Sequence, residues 1–513
     1  MDTDGSPVSA GSRLTMPPSL SAEDNSEMLP PSDATSTQLE EEPKAQLQLH
    51  PNTPPERDDG QTSDDPLGPH PAYFEGGYHI LPQLTYFTLS NPAATAEFEN
   101  TLQGPVSASL LQKGYSQFCV SYTHVGYDTH TAVPCLLVVA REFDVRHARE
   151  LVEMVRGMGC QYTRRTICFN DTYKKIREGV LKGFPGARAR EYAESPEMGA
   201  SLGAAQEGGD SFSVGCYLHL DGDWKTTYCL SVPEGVTPSL PLGTSGITGG
   251  TSPTAASIAI QQPSSSDQIA LIENLRNTLH MIDKKEPQVK LRSRNATEKW
   301  LQETLLKDTT FGTLRYSEAA VVSFDGKDIT SKWCLIEVNE SRDSHLSNSF
   351  QYHTNDPTAW IPRTCAGRIY VQGTATLEMG NRVIKNARST GCTVGDISMT
   401  YAHTKTAEGI PPTREFSVLS GSQGRFSESG ESGAPVIDEA NRIVGMLLGS
   451  LRGEPLLLEG HEQVDSVHVS FVTPMEFVVR RIEGVTGKKV SVDVVDVQKL
   501  KDEGVKFVGH GME

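Results

Sequence analysis

The sequence predicts a mainly β protein with the rhythm of an antiparallel barrel fold, preceded by a small α+β unit and a polar N-terminal tail. Three observations carry this. Short apolar runs separated by turn glycines at Gly373, Gly380, Gly391, Gly395 and Gly421 recur through the C-terminal part of the chain. Between 73 and 192, strand-like and helix-like patterns alternate instead. Up to Gly68 the chain is rich in Ser, Pro, Asp, Glu, Thr and Gln, with almost no aromatic or β-branched apolar residues. Such a segment buries too little apolar surface to offset the entropy of ordering, so 1–68 reads as a disordered acidic tail.

At 513 residues the chain is long enough for two to four units of ordinary domain size plus tails. Its formal charge of −19 argues against a broad nucleic-acid-binding surface, which needs clustered Lys and Arg. No apolar run approaches the roughly 20 residues that span a bilayer. The start, Met1-Asp2-Thr3-Asp4-Gly5, is acidic where a signal peptide is basic and then apolar. These features predict a soluble, intracellular, cytoplasmic protein without a membrane partner. The nine cysteines are scattered and never form a CxxC pair, so neither a metal site nor a cofactor is expected. Several sit in apolar runs, where a thiol behaves as a small hydrophobe.

The elements follow in order. Pro134–Ala140 is continuously apolar and reads as a buried strand. Asp144 is placed to cap a helix in which Ala148, Leu151, Val152 and Val155 form one stripe, ended by Gly157 and Gly159. Thr166–Phe169 reads as a strand and Tyr173–Leu181 as a basic helix, completing the 73–192 unit. Its Arg164, Arg165, Lys174, Lys175 and Arg177 read as a solvated face. Phe212–Leu220 reads as one strand before an Asp221-Gly222 turn, and Trp224–Val232 as the next. A Gly/Ser/Thr/Pro-rich loop leads to a helix over 267–282, with Ile272, Leu275, Leu279 and Ile282 on one face. Phe311–Leu314 and Trp333–Val338 resume the strands. Pro474 starts a closing helix that ends near Gly484, and 488–513 reads as a C-terminal tail.

The chemistry concentrates in Gly430-Glu431-Ser432-Gly433-Ala434-Pro435-Val436, flanked by the strands Phe416–Leu419 and Arg442–Ser450. Gly430 lets the backbone turn so that its amide and that of Ser432 aim at a substrate carbonyl oxygen. This loop resembles the nucleophile loop of trypsin-like serine proteases, with Glu431 in place of the usual Asp. Met198–Gly203, Ile260–Asp267, Ala387–Gly395 and Val472–Pro474 extend the resemblance to a divergent, fungal branch of that family. The resemblance implies two antiparallel β-barrels, 198–345 and 346–487, with the 267–282 helix inserted in the first and the closing helix in the second.

Residue by residue, the same resemblance implies crippled catalysis. The general-base position falls on Leu230 or Ser231, and the orienting-aspartate position falls on Lys332. A serine hydroxyl is a poor nucleophile unless a positioned base takes its proton. The leading expectation is therefore a non-catalytic polypeptide-binding protein that retains Ser432 and Gly430. One alternative is an active intracellular serine endopeptidase with a displaced base, drawn from His219, His280, His345, His353 or His403, with Asp328 reaching in. Another is an adaptor acting through the tail and the α+β unit. Phe426 falls where the family's specificity pocket has its base. The expected partner is a polypeptide substrate or protein; the oligomeric state is not legible.

Overall fold

A computed structural model describes residues 85–163, 165–171, 190–205, 210–232, 258–283, 287–343, 346–352, 364–365, 367–406, 408, 410–420, 425–456, 466–492, 494 and 507–508. The 1–68 tail and the basic helix expected at 173–181 lie outside them. The architecture is mainly β: two antiparallel barrels, a closing helix and an N-terminal α+β unit, as the sequence predicts.

The first barrel is a sheet ordered Tyr217–Leu220, Tyr228–Ser231, Lys327–Val338, Thr310–Phe324, Ala259–Gln261, Ser201–Ala204 and Ser211–Ser213. The single strand expected over Phe212–Leu220 is instead two, bent at Val214–Cys216. The first half pairs with Ser201–Ala204 and the second with Tyr228–Ser231, which brings the sheet's ends together. Gly215 at the bend has no room for a side chain, because a Cβ there would lie 2.4 Å from the Leu230 carbonyl oxygen and 2.8 Å from that of Gly433. Only Tyr228–Ser231 of the strand expected at 224–232 forms, and Trp224 is exposed. Thr310–Phe324 and Lys327–Val338 make one long hairpin turning at Asp325-Gly326, both with positive φ.

A two-helix insertion interrupts this barrel. The predicted helix runs Ser265–Asp283, and a second, Pro287–Leu306, packs against it. This second helix lacks a clean apolar stripe and so is not legible from the sequence pattern.

The second barrel is ordered Gly391–Asp396, Arg382–Ala387, Pro435–Ile437, Ile443–Pro455, Val467–Pro474 and Thr413–Ser420. It closes through the Ile397–Val418 bridge. The sheet runs on past the barrel into the N-terminal unit. Ala402–Lys405 pairs with Phe118–Gly126, and Gly453–Pro455 pairs with Phe169–Asp171 of the strand Arg165–Asp171. Together with Val133–Arg141 they form a further ring around Cys119, Leu137, Val139, Phe169, Val469 and Phe471. The α+β unit thus shares a continuous sheet with the second barrel. The helix expected there, Val145–Gly157, is capped by Asp144, whose Oδ1 accepts the Arg146 amide, and buries Ala148, Leu151, Val152 and Val155 beside further helical turns over 92–112 that the sequence pattern does not reveal.

The closing helix is Met475–Thr486, ended by Gly487 at φ 68°. It packs Phe477 on Phe324 of the first barrel, with ring centroids 5.0 Å apart. Its Arg481 pairs with Glu318, which also accepts the indole N–H of fully buried Trp333 at 2.9 Å. Burial pushes the Glu318 carboxyl up, but the hydrogen bonds from Arg481, Ser331 and Trp333 outweigh it and hold the group below its ordinary value. Residues 488–513, expected as a tail, contribute Val490–Val492 to the first barrel's edge and Phe507–Val508 to a small sheet with Thr364–Cys365.

Candidate functional site

The serine loop lies at the contact between the barrels. Gly430 has φ 80° and Gly433 φ 92°, conformations that only glycine adopts without strain. The loop is pinned by backbone bonds: Gly433 N–H to the Leu447 oxygen at 2.8 Å, Ala434 N–H to the Glu431 oxygen at 3.1 Å, and Ser213 N–H across the interface to the Ser432 oxygen at 3.0 Å. Among the described residues the Gly430 amide donates to no backbone acceptor. Ser432 itself is half-buried.

Two buried ion pairs set the loop from behind, and sequence reasoning assigns neither. Glu431 is fully buried and accepts Lys385 Nζ at 2.8 Å, the Ser389 amide at 2.9 Å and the Glu428 amide at 3.0 Å. The second pair joins Asp267, in the first turn of the inserted helix, to Arg388, whose Nε donates to Oδ2 at 2.9 Å. Both are buried, and a Cβ on Gly430 would lie 2.1 Å from the Arg388 guanidinium. Burial pushes the Asp267 carboxyl up, but Arg388 outweighs it and leaves the group below its usual value. The available signal was Lys385 and Arg388 within and just after the strand Arg382–Ala387; a charge kept in a buried strand needs a partner.

The structure brings Ser231 to the loop but turns it inward. Its hydroxyl is buried and donates to the Ser213 oxygen at 2.6 Å, and a Cβ on Gly433 would lie 2.4 Å from that hydroxyl. Leu230 is also buried, within the barrel core. Cys334 stands opposite Ser231 in register, which puts Lys332 two residues further along the neighbouring strand, half-buried. Its charge acts on Glu415, a buried carboxyl between the barrels whose Oε1 accepts the Thr330 amide at 2.9 Å. Burial raises Glu415 to about 7. Asp328 is exposed near the far end of the same strand, beside the hairpin turn.

The candidate replacement histidines are spread over the molecule. His219 Nδ1 lies 3.1 Å from the Thr226 oxygen, and its ring packs on Trp224. His403 Nδ1 lies 2.6 Å from the Ser107 hydroxyl, in the α+β ring, and burial lowers it to about 4. His280 is near the end of the inserted helix, exposed. His345 and His353 lie outside the described residues. Phe426 is 1% exposed in the second barrel's core, against Gly395 and Val418.

Beyond the loop, the strand Ile443–Pro455 offers an edge. Its near end pairs with Pro435–Ile437 and its far end with Arg165–Asp171; among the described residues no strand pairs with that edge over Leu448–Arg452. Also among the described residues, no group of three His, Cys, Asp or Glu is placed to hold a metal ion, and no helix is long and apolar enough to cross a membrane.

Solved structures of proteases are similar to this chain. Thermobifida fusca Protease A matches with 12% identity over 58% of this chain and 98% of its own, at a TM-score of 0.28. The Nocardiopsis protease matches with 10% identity over 58% of this chain and 98% of its own, at 0.29. Cellulomonas bogoriensis chymotrypsin matches with 14% identity over 58% of this chain and 98% of its own, at 0.26. No protein-family model matches the sequence, and no curated protein matches it. At these identities and scores nothing about the site carries over, and its reading rests on the geometry above.

Proposed function

We propose that this chain is a trypsin-like serine protease homologue that binds an extended polypeptide beside Ser432 without cleaving it. The observation that carries the reading is that Ser231, at the position the resemblance gives to the base, spends its hydroxyl on the barrel wall. Lys332, at the position the resemblance gives to the orienting acid, is a cation that could not pair with an imidazolium. Neither residue does the work of a base or of its orienting acid. Without them, loop and cleft supply on the order of 10³–10⁴-fold acceleration over water, too little for a useful protease.

A groove outlives its chemistry. An extended chain laid along Leu448–Arg452 adds a strand to the sheet, with backbone hydrogen bonds supplying affinity and side-chain subsites supplying selectivity. The test is treatment of the purified full-length chain with a fluorophosphonate probe, with trypsin as the positive control. The expected result is no Ser432-dependent labelling and no casein cleavage. Stoichiometric labelling that disappears in Ser432→Ala overturns the reading in favour of an active endopeptidase.

A further inference from the structure

The inserted helices would be passive decoration if their contact with the barrels were only apolar. Instead the first turn of Ser265–Asp283 delivers a buried carboxylate to the back of the serine loop. Asp267 grips Arg388 through both oxygens and also accepts the Ser201 hydroxyl at 2.5 Å. Arg190 stands 4.0 Å away and donates to the Arg388 oxygen at 3.1 Å. The Arg388 guanidinium in turn reaches the Ser429 oxygen at 3.5 Å and occupies the space where any side chain on Gly430 would be.

We infer that Asp267 is a positioning residue for the serine loop, acting through Arg388, so that the two-helix insertion sets the conformation of the Gly430 turn. The physical basis is that a guanidinium fixed at two points by a carboxylate is a rigid wedge, whereas one left unpaired in a buried site must move or draw in water. The wedge bears directly on the peptide before Glu431 and Ser432, and nothing but glycine fits over it. The Lys385–Glu431 pair holds the following residue by a separate route, so loss of Asp267 frees the turn at Gly430 without releasing Glu431. The inference goes beyond the polypeptide-binding reading and stands or falls independently of it.

The experiment is amide hydrogen exchange, read by mass spectrometry, on the full chain and on Asp267→Asn, Asp267→Glu and Arg388→Lys. Asp267→Asn and Arg388→Lys are expected to speed exchange over 427–433 by about tenfold or more, leaving Lys327–Val338 unchanged. Asp267→Glu, which keeps the charge, is expected to recover part of the protection; a purely structural role would not show that rescue. Should Asp267→Asn fail to fold, Ser201→Ala removes one hydrogen bond to the same carboxylate and is expected to give a smaller effect in the same segment. Unchanged exchange at 427–433 in folded variants, or an equal increase everywhere, overturns the inference.

Discussion

At the scale of single residues, the fate of each charge depends on whether its partner is buried with it. Glu431→Gln leaves Lys385 buried without its counter-charge, and a cost of about 3–5 kcal/mol in a urea unfolding titration is expected. Glu415 is the opposite case, a carboxyl whose Oε2 is buried with no hydrogen-bond partner among the described residues. Burial raises it from 4.5 to about 7, so between those values the folded chain holds a proton that the unfolded chain has released. Its contribution to stability is therefore complete below pH 4.5 and is lost as pH rises toward 7. His468, lowered to about 4 by burial, works in the other direction, losing stability as pH falls. The prediction is hence a difference: relative to Glu415→Gln, the wild-type chain loses denaturation midpoint between pH 5 and pH 7.5, and parallel profiles would refute it. None of these pairings was legible in the sequence, because Lys385 and Glu431, or Asp267 and Arg388, lie far apart along the chain and only the closed barrels bring them together.

At the scale of elements, local pattern was informative where one face of a segment is apolar and one polar. The capped helix at Asp144, the closing helix after Pro474 and the serine loop's flanking strands were all legible from periodicity and turn residues. Pattern misled where tertiary closure bends a strand, as at Gly215, or where a helix such as Pro287–Leu306 gains its support mainly from its neighbour. Two glycines separate these influences. Gly433→Ala forces a Cβ to within 2.4 Å of the Ser231 hydroxyl at a positive φ. Strain and overpacking together are expected to cost about 2–5 kcal/mol by chemical denaturation. Gly484 sits exposed in the closing helix with nothing within 4 Å of a Cβ, so Gly484→Ala is expected to stabilise by about 0.5–1 kcal/mol.

At the scale of the whole molecule, the strands Ile443–Pro455, Val467–Pro474 and Thr413–Ser420 each serve two rings at once. Removing residues 1–171 takes away Phe118–Gly126, Val133–Arg141 and Arg165–Asp171, stripping partners from two strand edges and opening the core around Phe471. The remaining chain is expected to aggregate on expression, and a soluble, cooperatively melting fragment would contradict the shared-ring arrangement. Composition revealed an α+β unit but not this sharing, since which strand edges meet is decided by topology. The Glu318 junction gives the fold a gauge of its own. Trp333 is sealed in the first barrel with its indole on the carboxylate that Arg481 holds, whereas Trp224 and Trp300 face solvent. In a Trp360→Phe background, which removes the fourth tryptophan, acrylamide should therefore quench the emission of those two and spare the blue-shifted light from Trp333 until the last helix lifts away, so detachment of the C-terminal segment becomes visible as a change of colour without any added dye.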